Sequence, residues 1–159
     1  MEAASANLTK VFLELGGKSV SLILDDIEDF GMAAATAAFG TATVCGQGCA
    51  LTTRILLPRS RYDEGVEAIA AMMAAVAPGD PDADDTMMGP LNSAAQLARV
   101  EGYVATGLQE GARVVCGGSR HAHPEHPDGY FFEMTLLTDV TNDMTVDQEE
   151  IFGPVLVAI

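Results

Sequence analysis

Residues 43–50 read Thr-Val-Cys-Gly-Gln-Gly-Cys-Ala, and they separate two apolar segments of the chain. An alanine-rich run with helical spacing precedes them, and a short apolar run, residues 51–57, follows them and stops at Pro58. Apolar residues at helical spacing predict a helix, whereas a short apolar run bounded by proline predicts a strand. We therefore predict a helix, a glycine-rich turn that carries Cys45 and Cys49, and a strand.

Extended and helical segments alternate on both sides of this turn. Helices are expected to begin at Asp26, Ser60 and Ser93, the third with a capping box to Gln96 and an end at Gly111. Apolar residues crowd residues 20–24, as in a strand covered on both faces. The predicted class is an α/β fold with a mostly parallel sheet flanked by helices. Extended segments are expected at residues 11–15, 20–24, 54–57, 113–116, 130–137 and 155–159.

The composition restricts the class of partner. The formal net charge is −15, from 8 basic and 23 acidic residues, which disfavours nucleic acid and anionic membranes. A chain of 159 residues that is 48% hydrophobic suits one globular domain, and no apolar run reaches the length of a membrane span. Three cysteines without a visible disulfide framework favour the cytoplasm.

Two side chains are candidates for chemistry on local sequence alone. Cys49 lies on a glycine-rich turn that a substrate could approach closely, so it could act as a nucleophile; the alternative is a small buried apolar residue. Glu14 lies near the end of an apolar run before a diglycine, so it could act as a base; the alternative is a carboxylate that faces solvent.

The three histidines all lie in residues 119–128, a segment that proline interrupts. Three imidazoles within six residues could bind a metal, but a proline-broken loop does not hold its ligands rigidly. We interpret the segment as an exposed loop and predict no metal ligands.

Three motifs together resemble those of the aldehyde dehydrogenase superfamily. Residues 13–19 (LELGGKS) resemble its glutamate signature, and residues 46–49 (GQGC), with Arg54 five places on, resemble its cysteine signature. Residues 149–155 (EEIFGPV) resemble the motif that in this family contacts the nicotinamide ribose. The resemblance implies Cys49 as nucleophile and Glu14 as general base, with a cofactor site at Leu15, Gly16, Glu150 and Phe152.

The resemblance also implies a reaction and its partners. The expected activity is oxidation of a small-molecule aldehyde to a carboxylic acid with NAD or NADP, through a cysteine thiohemiacetal and thioester. A homo-oligomer is expected as well. The family usually has asparagine at the position of Val44 in this chain.

Members of the resembled family are longer than this chain. Residues 1–159 are therefore expected to be part of the catalytic domain, without the cofactor-binding domain and the C-terminal segment, and to be incompetent alone. One alternative is a non-catalytic module that associates with itself through an open edge strand at residues 155–159. Another is a cofactor-free thiol esterase that uses Cys49.

Overall fold

A computed structural model describes residues 2–159 and contains one five-stranded sheet. The strands lie in the order β1-β2-β5-β4-β3. The pairs β1–β2, β2–β5 and β5–β4 are parallel, and β3 is antiparallel to β4. The prediction of a mostly parallel α/β fold is therefore confirmed. The strand bounds are β1 (Ser19–Leu22), β2 (Thr52–Leu56), β3 (Arg113–Cys116), β4 (Thr135–Thr138) and β5 (Val155–Ala158).

Among the described residues, five helices accompany the sheet, and the two longest have the predicted apolar stripes. Ile69 and Met73 of α3 are buried, as are Val100 and Val104 of α4. Helix α2 packs on α3 and β2, whereas α4 packs on α5 and β3. The helices are α1 (Glu2–Ser5), α2 (Phe30–Phe39), α3 (Tyr62–Ala74), α4 (Ala94–Glu110) and α5 (Thr145–Gln148), with 3-10 turns at Gly40–Gly46 and Arg59–Arg61.

The two central strands form the middle of the core, because every residue of β4 and β5 is buried. The expectation that residues 155–159 leave an open edge is therefore wrong: β5 lies between β2 and β4 and pairs with both. The sheet ends instead at β1, where Val20 and Leu22 are 42% and 65% exposed. Residues 20–24 are thus an edge segment and are not covered on both faces.

Two further expectations near the N-terminus are wrong. Residues 11–15 form no strand, and Leu13 and Leu15 are exposed. Helix α2 is capped by Asp29 and not by Asp26, since the Asp29 Oδ1 accepts a hydrogen bond of 3.1 Å from the Met32 backbone N–H. Several acidic residues precede this helix, and Asp29 is the one that directly precedes its first residue, the buried Phe30.

The predicted ends of α4 are confirmed in part. Ser93 Oγ accepts a hydrogen bond of 3.2 Å from the Gln96 N–H, and the helix ends at Gly111 with φ +111°. The Gln96 side chain, however, does not complete a capping box, because its Nε2 donates to the backbone carbonyls of Ile151 and Phe152. Helix α3 begins at Tyr62, because Arg59–Arg61 form a separate 3-10 turn after Pro58.

Candidate active site

The cysteine loop is shaped by three successive residues in the left-handed region. Val44, Cys45 and Gly46 have φ values of +46°, +56° and +70°. A Cβ atom added to Gly46 would lie 2.0 Å from the Gly153 carbonyl oxygen. Since real Cβ atoms do not approach an oxygen so closely, a glycine is required here. The cysteine loop therefore packs directly on the backbone of the segment that carries Glu150 and Phe152.

The two cysteines of the loop have opposite environments. Cys45 is buried, and burial raises the pKa of its thiol to about 12. Cys49 is exposed and lies in a tight turn, in which the Leu51 N–H donates to the Gly48 carbonyl over 3.2 Å. A thiolate, and not a thiol, is the nucleophile. Cys49 is therefore the thiol of this loop that a substrate can reach.

Gln47 fixes the loop from the side. Its Nε2 donates to the Val44 carbonyl over 3.2 Å, and its Oε1 accepts from the Asn92 N–H over 3.1 Å. The backbone N–H of Gln47 also donates to the Val44 carbonyl, over 3.1 Å. These bonds hold the left-handed turn closed immediately before Cys49.

Residues 16 and 17 connect the cysteine loop to Glu150. The Gly17 N–H donates to the Glu150 Oε1 over 3.1 Å, and a Cβ on Gly16 would lie 2.6 Å from the Glu150 Oε2. A Cβ on Gly17 would lie 3.4 Å from the Cys49 carbonyl oxygen. The diglycine thus fits between Cys49 and Glu150, and the three sequence motifs meet there.

Glu14 is close to this meeting point in sequence but is not bonded into it. Both Glu14 and Leu15 are exposed, and residues 9–18 have no regular secondary structure. Within residues 2–159, no hydrogen bond joins the Glu14 carboxylate to the Cys49 thiol. The structure therefore brings together Gly16, Cys49 and Glu150, and it leaves Glu14 and Leu15 at the solvent-facing side.

Helix α4 holds the segment around Phe152. Gln96 Nε2 donates to the carbonyls of Ile151 and Phe152 over 3.1 and 2.6 Å, and Arg99 donates to the carbonyls of Ile151 and Glu150 over 3.3 and 2.8 Å. Phe152 is half-buried and has φ +61°, which a bulky residue adopts only when its surroundings enforce it. Neither supporting role was predicted from the sequence. Their spacing of three, i and i+3 on one helix face, was the available signal.

A buried charge cluster near Glu150 was not predicted from the sequence either. The Asp147 side chain is fully buried, and its Oδ2 lies 3.3 Å from the Arg54 Nη1. Burial lowers the pKa of Lys18 to about 8, although the negative charges of Asp147 and Glu150 oppose this shift; the positive charge of Arg54 adds to it. A lysine immediately before an apolar strand was the available signal.

The histidine segment forms a surface loop, as predicted. His126 Nε2 lies 3.2 Å from the Asp80 Oδ2, and the His123 ring stacks on Phe131 at 4.8 Å between centroids. The donor atoms of Asp80, Glu125 and His126 lie within 4.8 Å of one another. A surface hydrogen bond between His126 and Asp80 accounts for their proximity, and the absence of metal ligands stays a prediction.

These contacts define an α/β protein in which a diglycine lies between the backbone of an accessible cysteine and a hydrogen-bonded carboxylate. The sequence profile of the aldehyde dehydrogenase family matches residues 1–159, and the chain belongs to this family. An aldehyde dehydrogenase of Aspergillus niger is 42% identical over 154 residues, which cover 97% of this chain and 30% of that protein. The chain thus spans only about a third of the length of the curated relatives that it matches.

Solved structures agree with this membership. An aldehyde dehydrogenase of Mycobacterium tuberculosis, complexed with NAD+, is 48% identical with a TM-score of 0.88, over 99% of this chain and 32% of that chain. A mutant of aldehyde dehydrogenase C from Pseudomonas syringae, complexed with NAD+ and octanal, is 34% identical with a TM-score of 0.91, over the same shares. Among residues 2–159, no helix has the length and apolar character needed to cross a membrane.

Proposed function

We propose that the protein carrying this chain oxidises aldehydes to carboxylic acids, with NAD+ or NADP+ as the hydride acceptor. The observation that carries the proposal is the convergence of three motifs at Gly17, whose N–H donates to Glu150 and where an added Cβ would lie 3.4 Å from the Cys49 carbonyl oxygen. The relatives add support, since one was crystallised with NAD+ and another with NAD+ and octanal.

The residues present fit the ribose and nicotinamide of such a cofactor. A carboxylate accepts hydrogen bonds from hydroxyl groups and repels phosphate, so Glu150 suits a ribose. Gly16 leaves the space beside the Glu150 Oε2 free of a side chain. Phe152 would contact the nicotinamide, and Leu15 offers an exposed apolar side chain next to Gly16. NAD(P)+, when bound, accepts the hydride from the aldehyde carbon.

The chemistry at the protein side needs a nucleophile and a base. The Cys49 thiolate adds to the carbonyl carbon and forms a thiohemiacetal; removal of hydride from that carbon leaves a thioester on Cys49. Glu14 then takes a proton from water, the water oxygen adds to the thioester carbon, and the C–S bond breaks. The carboxylic acid leaves and the thiolate is restored. A thiolate suits both halves, because it attacks well and also departs from an acyl group.

The test follows octanal-dependent NADH formation by the complete protein. Replacement Cys49→Ala should abolish it, while Cys116→Ala, which removes a half-buried thiol outside the cysteine loop, should leave it near wild type. Glu14→Gln should allow one burst of NADH and then block turnover, because acylation precedes the step that needs the base. Turnover that survives Cys49→Ala would refute the proposal.

We also propose that this chain alone is a partial catalytic domain that needs further segments for activity. Its coverage of about a third of each relative supports this. The 159-residue chain should therefore make little NADH, and robust turnover by it would contradict the proposal. Cofactor-free cleavage of an activated ester, lost in Cys49→Ala, would instead favour the esterase alternative.

A further inference from the structure

The Lys18 side chain carries a buried amine that the proposed reaction does not use. Its Nζ is shielded from solvent and has no hydrogen-bond partner among residues 2–159. Lysine amines are almost never buried without a partner, because the charged form loses its hydration. The placement of this amine therefore calls for a reason beyond packing.

Charged groups from separate elements surround Lys18. Strands β1 and β2 pair in parallel with Val20 opposite Arg54, which places Lys18 beside the start of β2. Asp147, on α5, is bonded to Arg54 through Oδ2, whereas its Oδ1 and the Arg54 Nε are buried and have no hydrogen-bond partner in the described part of the chain. Glu150 completes the cluster and also acts on Lys18. Two positive and two negative groups thus face one another.

The two carboxylates of the cluster differ in freedom. Asp147 is fully buried and paired with Arg54, so it is fixed. Glu150 is half-buried and is held at Oε1 by the Gly17 N–H. Gly17 directly precedes Lys18, so the backbone donor to Glu150 and the buried amine are neighbours in one short segment.

We propose that Lys18 is a positioning residue for Glu150, and that its ammonium charge holds the Glu150 carboxylate against the Gly17 N–H. When Lys18 is neutral, Arg54 is left to balance both Asp147 and Glu150. The Glu150 carboxylate, which is the more mobile of the two, then moves towards solvent, because a buried charge without compensation is costly. The link to cofactor binding rests on the proposed function; the positioning itself does not.

The proposed hold on Glu150 should depend on pH. Burial lowers the pKa of Lys18 to about 8, so the charge that holds Glu150 is present below this pH and is lost above it. The groups that face Lys18 are Asp147 from α5, Arg54 from β2 and Glu150 from the segment after α5. The Gly17–Glu150 hydrogen bond should therefore weaken as the pH rises through about 8.

The test records the backbone amide resonance of Gly17 by NMR between pH 6 and pH 10, roughly two units either side of the expected midpoint. In the wild-type chain this resonance should change in one step near pH 8. Lys18→Arg keeps a positive charge throughout, so Gly17 should stay at its low-pH position. Lys18→Met has no charge, so Gly17 should stay at its high-pH position. Glu150→Gln should remove the step.

Lys10→Met is the matched control, because Lys10 is exposed and should leave the step unchanged. A step that persists in both Lys18 variants would overturn the proposal, as would a Lys18→Met resonance at the low-pH position. A purely structural role would not give opposite end states for Arg and Met. If Lys18→Met does not fold, the loss of the step in Lys18→Arg decides the question.

Binding of NAD+ to the complete protein separates this inference from the proposed function. Lys18→Met should weaken NAD+ binding on the order of tenfold, which is within the range of interaction energies for residues coupled in one charge network. Lys18→Arg keeps the charge and should bind NAD+ like the wild type below pH 8. If Gly17 responds as expected but neither Lys18→Met nor Glu150→Gln changes NAD+ affinity, the cofactor role of Glu150 is refuted and the positioning stands.

Discussion

Replacement of Gly46 by alanine tests the contact on which the candidate site depends. The residue has φ +70°, and an alanine in this region costs roughly 1–2 kcal/mol. The added Cβ would also lie 2.0 Å from the Gly153 carbonyl oxygen, so one backbone segment must move. Overpacking of this kind costs about 1–3 kcal/mol more. We expect Gly46→Ala to lower the free energy of unfolding by roughly 2–5 kcal/mol.

The assay is thermal unfolding followed by circular dichroism. For a chain of this size, 1 kcal/mol corresponds to about 2–4 °C, so the Tm should fall by roughly 4–20 °C. Gly102→Ala is the matched control, because Gly102 lies inside α4 and an added Cβ meets no atom within 4 Å. That variant should gain about 0.5–1 kcal/mol, since glycine is the poorer helix former. An unchanged Tm for Gly46→Ala, with the expected rise for Gly102→Ala, would refute the packing of the cysteine loop on Gly153.

Three further outcomes are expected. Val44→Asn should raise the free energy of unfolding by about 1 kcal/mol in a denaturant titration, because Val44 is exposed at φ +46° and asparagine tolerates that conformation far better than a β-branched residue; a loss of stability would contradict this. Iodoacetamide at pH 8 should modify Cys49 and spare Cys45, since a thiol with a pKa of about 12 is roughly one part in ten thousand thiolate at that pH; peptide mapping reads this out, and equal labelling of the folded chain would count against it. The free energy of unfolding of the wild type, relative to that of Lys18→Met, should rise between pH 8 and pH 10. Over that interval Lys18 binds fewer protons in the folded than in the unfolded chain. A difference that does not change with pH would show that folding does not lower the pKa of Lys18.

The local pattern of the sequence predicted the elements well where local physics decides them. Helices α3 and α4 follow from apolar residues at helical spacing, and Ser93 and Gly111 mark the two ends of α4. The glycine-rich turn also follows from its sequence. The positions of β1 and β5 in the sheet did not follow, because the order of strands depends on pairings between distant segments. Apolar residues alone could not tell the edge strand β1 from the central strand β5.

The residues of the candidate site show the same difference between local pattern and long-range contacts. The motifs identified Cys49, Gly16 and Glu150, and the structure brings these residues together. The residues that support them were missed because their partners are distant in the sequence: the Gln96 side chain bonds the Ile151 carbonyl 55 positions away. The sequence predicted a local capping box for Gln96, whereas its side chain instead bonds the backbone of residues 151 and 152. Glu14, by contrast, was expected at the end of a strand and lies exposed in an irregular segment.

The central position of β5 has a consequence for how the chain folds during synthesis. β5 is the last of the five strands to leave the ribosome, yet it joins β2 on one side to β4 on the other. Until it arrives, the sheet remains two separate halves whose apolar edges are open. Pairing between β2 and β5 also closes a loop of about a hundred residues, and contacts over such separations form slowly. The nascent chain is therefore most prone to misassociation just before synthesis of this sheet is complete, when chaperones have the most to protect.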